Sequence, residues 1–179
     1  TRGFIALAGP DRSGIANVLR RQLPGFIDIV ALPNLLVLAD PAADIAIIGD
    51  HAGALIGSAF DRSGQQLFQL PANAAHASAS ASAPLVETLW GGFVAIVAEH
   101  DAVVVQREPS GTMPCYHAQI GSAHLFASDV ALLTASSLFP VSINWRFVAH
   151  HLLWPERRTT ETGLDRIDEL MPGERCRVT

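Results

Sequence analysis

Imidazoles, thiols and carboxylate–guanidinium neighbours are groups from which proteins build metal sites, nucleophiles and ligand clamps. This sequence offers His150-His151, Cys115 with Cys176, and Asp61-Arg62. Adjacent residues on a helix point about 100° apart, so His150 and His151 cannot share one ion as an i, i+4 pair does. The two cysteines lie in no metal-ligand spacing and read as reduced, structural thiols. Asp61-Arg62 falls in a polar turn, where it serves either as a loop contact to a ligand or partner domain, or as a surface ion pair of little energetic weight. The glycine pair Gly91-Gly92 has no Asp-Ser behind it, so it does not form a phosphate loop. All 12 basic residues are arginine. That excludes a Walker-type phosphate lysine, a Schiff-base lysine and a lysine general base.

The elements that must position these groups are mostly short apolar runs between turn residues. Gly3 to Gly9 reads as a buried strand ended by Gly9-Pro10. A helix follows, with Ile15, Val18, Leu19 and Leu23 on one stripe and Asp11 or Ser13 as its cap, stopped by Pro24-Gly25. Strands are expected over Phe26–Leu32, Leu35–Ala39, Ile45–Ile48 and Ala54–Phe60. From Pro71 to Ser82 small residues alternate without bulky apolar partners, which suits a linker leading to a helix with Leu85, Val86 and Leu89 on its buried side. That helix delivers Trp90 into a meander: Gly91–Val97, a His100-Asp101 turn, Ala102–Gln106, a Pro109-Ser110-Gly111 turn and a strand near Pro114. Helices are expected over Ala127–Leu138, capped by Ser128 or Asp129, and over Trp145–Leu153, capped by Ser142 or Asn144.

With 179 residues, 49% of them hydrophobic, the chain can bury one sizeable core, and residues 1–179 read as a single domain. A net charge of -5 and a pI near 5.7 give no electrostatic reason to expect nucleic acid or an anionic membrane as partner. No apolar run is long enough to span a bilayer and no basic-then-apolar leader opens the chain, so a cytoplasmic protein is expected. A mean hydropathy of +0.29 leads to the expectation of an exposed apolar patch.

Several motifs, in order, resemble the amidotransferase domain of glutamine-hydrolysing asparagine synthetases. Trp90-Gly91-Gly92-Phe93 is similar to that family's aromatic-Gly-Gly-Phe segment, and Arg107-Glu108-Pro109-Ser110-Gly111 to its Arg-Asp-Pro-x-Gly turn. Pro114-Cys115-Tyr116 stands for Pro-Leu-Tyr, and Phe126-Ala127-Ser128-Asp129 for Phe-Ala-Ser-Glu. Ile167-Asp168-Glu169-Leu170-Met171-Pro172-Gly173-Glu174 is similar to the closing Ile-x-x-Leu-x-Pro-Gly-His. The resemblance implies an α+β fold of the N-terminal-nucleophile (Ntn) hydrolase type, a four-layer αββα sandwich of two antiparallel sheets.

It also implies where chemistry would sit. Family members that hydrolyse glutamine begin Cys-Gly-Ile, the cysteine supplying thiolate and, through its amine, the base. Aligning Gly3 with that glycine puts Arg2 at the cysteine position, and arginine is no nucleophile. Thr1 is the alternative nucleophile, but it is offset by one residue, which along a strand turns its side chain to the other face. The family's glutamine-holding segments are replaced by Ile45–Asp50 and Gly53–Arg62. With a Gly-x-x-Phe-Asp-Arg run there, the chain looks like the glutaminase-dead lasso-peptide macrolactam synthetases, with β-lactam synthetases as close relatives. The resemblance implies no catalytic residue, metal or cofactor in this domain. It implies a synthetase domain following in the native chain, using ATP and Mg to activate a carboxylate and close an amide, with a precursor peptide as a possible further partner. The alternatives are an active amidotransferase or hydrolase using Thr1, and a free-standing binding or scaffold module.

Overall fold

The computed structural model describes residues 3–10, 13–71 and 85–179. Twelve strands and four helices are described: β1 (Phe4–Ala8), α1 (Ser13–Gln22), β2 (Ile27–Ala31), β3 (Leu35–Ala39), β4 (Ile45–Ile48), β5 (Gly53–Phe60), β6 (Gln69–Leu70), α2 (Leu85–Thr88), β7 (Trp90–Ala98), β8 (Val103–Arg107), β9 (Tyr116–Ile120), β10 (Ala123–Ala127), α3 (Val130–Ala135), α4 (Trp145–Leu153), β11 (Asp168–Glu169) and β12 (Arg175–Val178). They form two six-stranded sheets, ordered β11-β9-β10-β1-β3-β2 and β12-β8-β7-β5-β4-β6. Every described pairing within them is antiparallel except β4 with β6. The molecule is α+β, as expected.

Period-two alternation assigns each strand's side chains to two faces. In β1, Phe4, Ala6 and Ala8 join Val37 of β3, Ala54 and Ile56 of β5, and Val94 and Ile96 of β7 in the layer between the sheets. Ile5 and Leu7 point the other way, onto Ala16 and Leu19 of α1 and Leu133 of α3. Both faces of β1 are therefore covered, and all five of its residues are buried, which is why its sequence is apolar without interruption. The outer face of the second sheet, Leu55, Phe93, Ala95 and Val97, meets Leu70 and Leu85. Among the described residues its helical cover is the single turn α2. No helix among the described residues is long and apolar enough to cross a membrane.

Several expectations shift. Ser13 lies inside α1 rather than capping it, and Asp11, like the small-residue stretch 72–84, falls outside the described residues. The helix expected over Ala127–Leu138 spans only Val130–Ala135, because Ala127 is consumed by the β10 ladder. Ser128 and Asp129 then divide two tasks. Ser128 Oγ accepts from Phe4 N at 3.0 Å and clamps the start of β1, while Asp129 caps α3 by accepting from Ala131 N at 2.8 Å. Asn144 caps α4 by accepting from Phe147 N at 3.0 Å.

Trp90 begins β7 at the surface, 56% exposed, stacked on Phe60 and donating through Nε1 to Asp61 O at 2.7 Å. Behind it β5 and β7 approach closely. Gly57 and Gly91 take φ of +107° and +128°, and a Cβ on either would overlap a carbonyl oxygen of the paired strand, that of Gly92 or Ser58. Gly92 has no such φ and would meet the Thr112 side chain instead, so of the pair Gly91 carries the glycine requirement.

The C-terminal segment is fastened to the sandwich through Arg107, whose residue is 3% exposed. Its guanidinium donates to the carbonyls of Met113 (2.8 Å), Gly111 (2.8 Å) and Leu170 (2.6 Å) and to Glu169 Oε1 (2.6 Å). Neighbouring Glu108, 1% exposed, accepts from Thr112 N at 2.7 Å and from Ser110 N, holding the turn that supplies two of those carbonyls. Truncating Arg107 would leave a partly buried carboxylate and three carbonyls without their donor. An Arg107→Ala variant is expected to lose about 3–5 kcal/mol of stability in urea unfolding. Truncating the solvent-exposed Arg20–Asp28 pair with Arg20→Ala should cost about 1 kcal/mol or less. Equal losses in the two variants would contradict the central role given to Arg107.

Candidate functional site

Five places gather groups capable of binding or chemistry. The first is a cavity of about 210 Å³ lined by Ala43, Asp44, Gly57, Ser58, Gly92, Thr112 and Met113. Its position follows from β1. Gly3 O, at the start of that strand, accepts from Asp40 N at 2.9 Å, and the turn closed by the Ala43 N to Asp40 O bond leads directly into Asp44. The sequence-predicted site residues Thr1 and Arg2 lie outside the described residues. Within the cavity Ser58 Oγ donates to Asp44 Oδ2 at 2.6 Å, and Ser110 and Thr112 hydroxyls lie 2.6 Å apart at its rim. The described lining offers one carboxylate, two hydroxyls and backbone, without thiol, imidazole or guanidinium. A serine facing a carboxylate alone lacks the imidazole or amine base through which nucleophilic hydroxyls are activated.

The thiols are elsewhere. Cys115 is buried in the layer between the sheets and Cys176 packs against it from β12. Burial pushes the Cys115 thiol well above its ordinary range, and burial followed by the charge of Glu174 pushes Cys176 up as well. Both changes disfavour the nucleophilic thiolate.

Asp61 organises its own turn, accepting from Ser63 N at 2.8 Å, Ser63 Oγ at 2.6 Å and Gln65 N at 3.0 Å. The Ser63 hydroxyl and the Gln65 amide hold its carboxyl below the usual carboxylate range. Arg62 turns away to donate to Glu87 O at 3.4 Å, so the expected Asp61–Arg62 surface pair does not form.

His150 and His151 both line a cleft of about 300 Å³ beside α4. His151 stacks on Phe147 with centroids 5.5 Å apart, and His150 faces Trp154 at 6.3 Å. Among the described residues no three His, Cys, Asp or Glu side chains converge to hold a metal ion.

Sequence reasoning missed the pair His117–His124. Across the Gly121-Ser122 turn His117 sits opposite Phe126 and His124 opposite Gln119, so the two imidazoles are diagonal neighbours on one face. Their Nε2 and Nδ1 atoms lie 2.9 Å apart and His117 stacks on Phe126. Two histidines seven residues apart around a Gly-Ser turn carry the signal, but only once the hairpin register is known. Burial, and then the neighbouring His124, push His117 down to about 4, and burial lowers His124 as well.

The sign of the consequence is fixed. Between about pH 6.5 and pH 4 the unfolded chain takes up a proton at His117 that the folded chain refuses, so stability is full above that window and falls as pH drops through it. The urea midpoint should therefore decline from pH 7.5 to pH 4.5 more steeply in the parent than in a His117→Gln variant. Parallel declines would assign the pH dependence to other groups.

No protein-family model matches the chain, and no curated protein matches it. Among solved structures the chain is similar to one described as the allosteric regulatory enzyme of purine biosynthesis, with 12% identity and a TM-score of 0.45. That alignment covers 75% of this chain and 43% of the other, so this chain spans less than half of that structure's length.

Proposed function

We propose that this chain is a glutamine-amidotransferase-like domain of the Ntn type, catalytically silent, belonging to an ATP-dependent ligase of the asparagine-synthetase kind. The reading is carried by one observation: Arg107 of the Arg-Glu-Pro-Ser-Gly motif bonds both Met113, in the wall of the cavity that Gly92 also lines, and Leu170 of the closing motif. Ser128 of Phe-Ala-Ser-Asp clamps Phe4, Gly92 of Trp-Gly-Gly-Phe lines the cavity, and Arg107 of Arg-Glu-Pro-Ser-Gly grips Met113 in its wall and Leu170 ahead of Pro172-Gly173. Two motifs more than 60 residues apart in sequence are thus joined through one side chain.

Silence is supported by the sequence at the family's cysteine position and by the described cavity lining. Arg2 stands at the family's cysteine position, and the described cavity lining has no cation for a glutamine carboxylate. The Gly57–Arg62 run and the substitution of the glutamine-holding segments favour the lasso-peptide macrolactam synthetases among such ligases. In this reading a synthetase domain of the same native chain adenylates a peptide carboxylate with ATP and Mg. An amine already present in the peptide then closes the amide, so ammonia is not required. The working compartment is the cytoplasm, and a precursor peptide is the further partner. An interface to the synthetase domain is supported by the apolar side of α4 and the segment leading to it. Trp145 is 70% and Leu152 78% exposed one heptad apart, with Val141 and Ile143 exposed beside them.

The purified protein is expected to release no ammonia from glutamine above the buffer rate, with or without Thr1→Ala. Release that disappears in Thr1→Ala would replace this reading with that of an active Thr1 amidotransferase.

A further inference from the structure

The cleft beside α4 is built from different chemistry than the cavity at β1. Its floor is the side of α4 that carries Phe147, His150, His151 and Trp154, and its far wall is the segment Arg157 to Glu161. Hydrogen-bond donors dominate that lining: two guanidinium groups, two imidazoles and the hydroxyls of Thr159 and Thr160. The one carboxylate among the lining residues, Glu161, is engaged by Arg146. Arg157 has no carboxylate partner among the described residues, which leaves one uncompensated positive charge at the cleft. Trp154 and Phe147 add flat apolar surface within the same space. At about 300 Å³ the volume suits a small molecule rather than a folded partner.

We infer that this cleft binds a small oxyanion, phosphate or carboxylate, carried on a planar ring. Arg157 supplies the charge and the fork of donors that a bidentate oxyanion accepts, and the ring lies against Trp154. His150 and His151, which cannot chelate one ion, serve here as separate N–H donors flanking the anion. The inference does not rest on the ligase reading: the cleft shares no lining residue with the cavity of Asp44 and Ser58, nor with the exposed apolar residues Trp145, Leu152, Val141 and Ile143.

The probes are phenyl phosphate, benzoate, inorganic phosphate and, as an uncharged control, benzyl alcohol. They are titrated at low salt into the whole chain while the indole N–H resonance of Trp154 is followed in two-dimensional ¹H–¹⁵N spectra. Saturable shifts are expected with phenyl phosphate or benzoate, weaker ones with inorganic phosphate and none with benzyl alcohol. The tighter of the first two identifies the source as phosphate or carboxylate. Arg157 is exposed, so Arg157→Gln should leave the fold unchanged by circular dichroism. It should weaken binding by about tenfold, the loss expected for a charge-assisted hydrogen bond. Absence of saturation, an equal response to benzyl alcohol, or unchanged affinity in Arg157→Gln would each overturn the assignment.

Discussion

The Arg107 guanidinium is the constraint on which the rest of the arrangement depends. It leaves the end of β8 and is satisfied by three carbonyls and one carboxylate drawn from two other segments, the turn at 111–113 and the stretch at 169–170. A buried arginine persists only when its donors are met in this way, because an unpaired charge there would cost several kcal/mol. The consequences spread outward. Leu170 N bonds to Cys115 O at 2.8 Å, β11 pairs with β9 in one sheet, and β12 pairs with β8 in the other. The C-terminal segment thereby crosses from the first sheet to the second, joining them at the edge where β9 and β8 would otherwise lie open. Glu108 contributes by holding the turn amides, so adjacent residues of opposite charge build one structure without pairing with each other.

How much of this was legible in the sequence depended on the range of the interactions. β3, β4 and α4 match their expected bounds because local signals, Pro33-Asn34, Asp40-Pro41 and Asn144, punctuate them. The burial of β1 on both faces was visible as an unbroken apolar run. Ala127 was misassigned to a helix because its pairing with Ile5 is a contact over more than a hundred residues, which no local window contains. Trp90-Gly91-Gly92 reads from sequence as a buried strand entry, yet Trp90 is exposed. The β5–β7 register sets Phe60 opposite Trp90, and the indole stacks on that ring at the surface. Arg107 and Glu108 read as turn residues because their partners come from the C-terminal segment. His117 and His124 became a pair only through the β9–β10 register.

The site follows the same division. The motif order was legible, and of the motif residues Gly92 lines the cavity while Arg107 bonds Met113 in its wall. What the motifs did not give is the lining: that Ser58 and Asp44 face each other there, and that Gly57 approaches Gly92 too closely to admit a side chain. The exposed apolar side of α4 was foreseen only as an excess of hydrophobic residues, without a location.

On the proposed reading the scaffold keeps the motifs but has neither a nucleophile nor a means of holding glutamine. Restoring the first alone separates them. The most direct measurement is ammonia release at saturating glutamine by an Arg2→Cys variant whose chain begins at residue 2, so that the cysteine carries a free amine ahead of Gly3. No release above the buffer rate is expected, because the described cavity still offers no cation for the substrate's carboxylate. Turnover of glutamine by that variant would show that the pocket had been intact, contradicting the loss of the reaction at both levels.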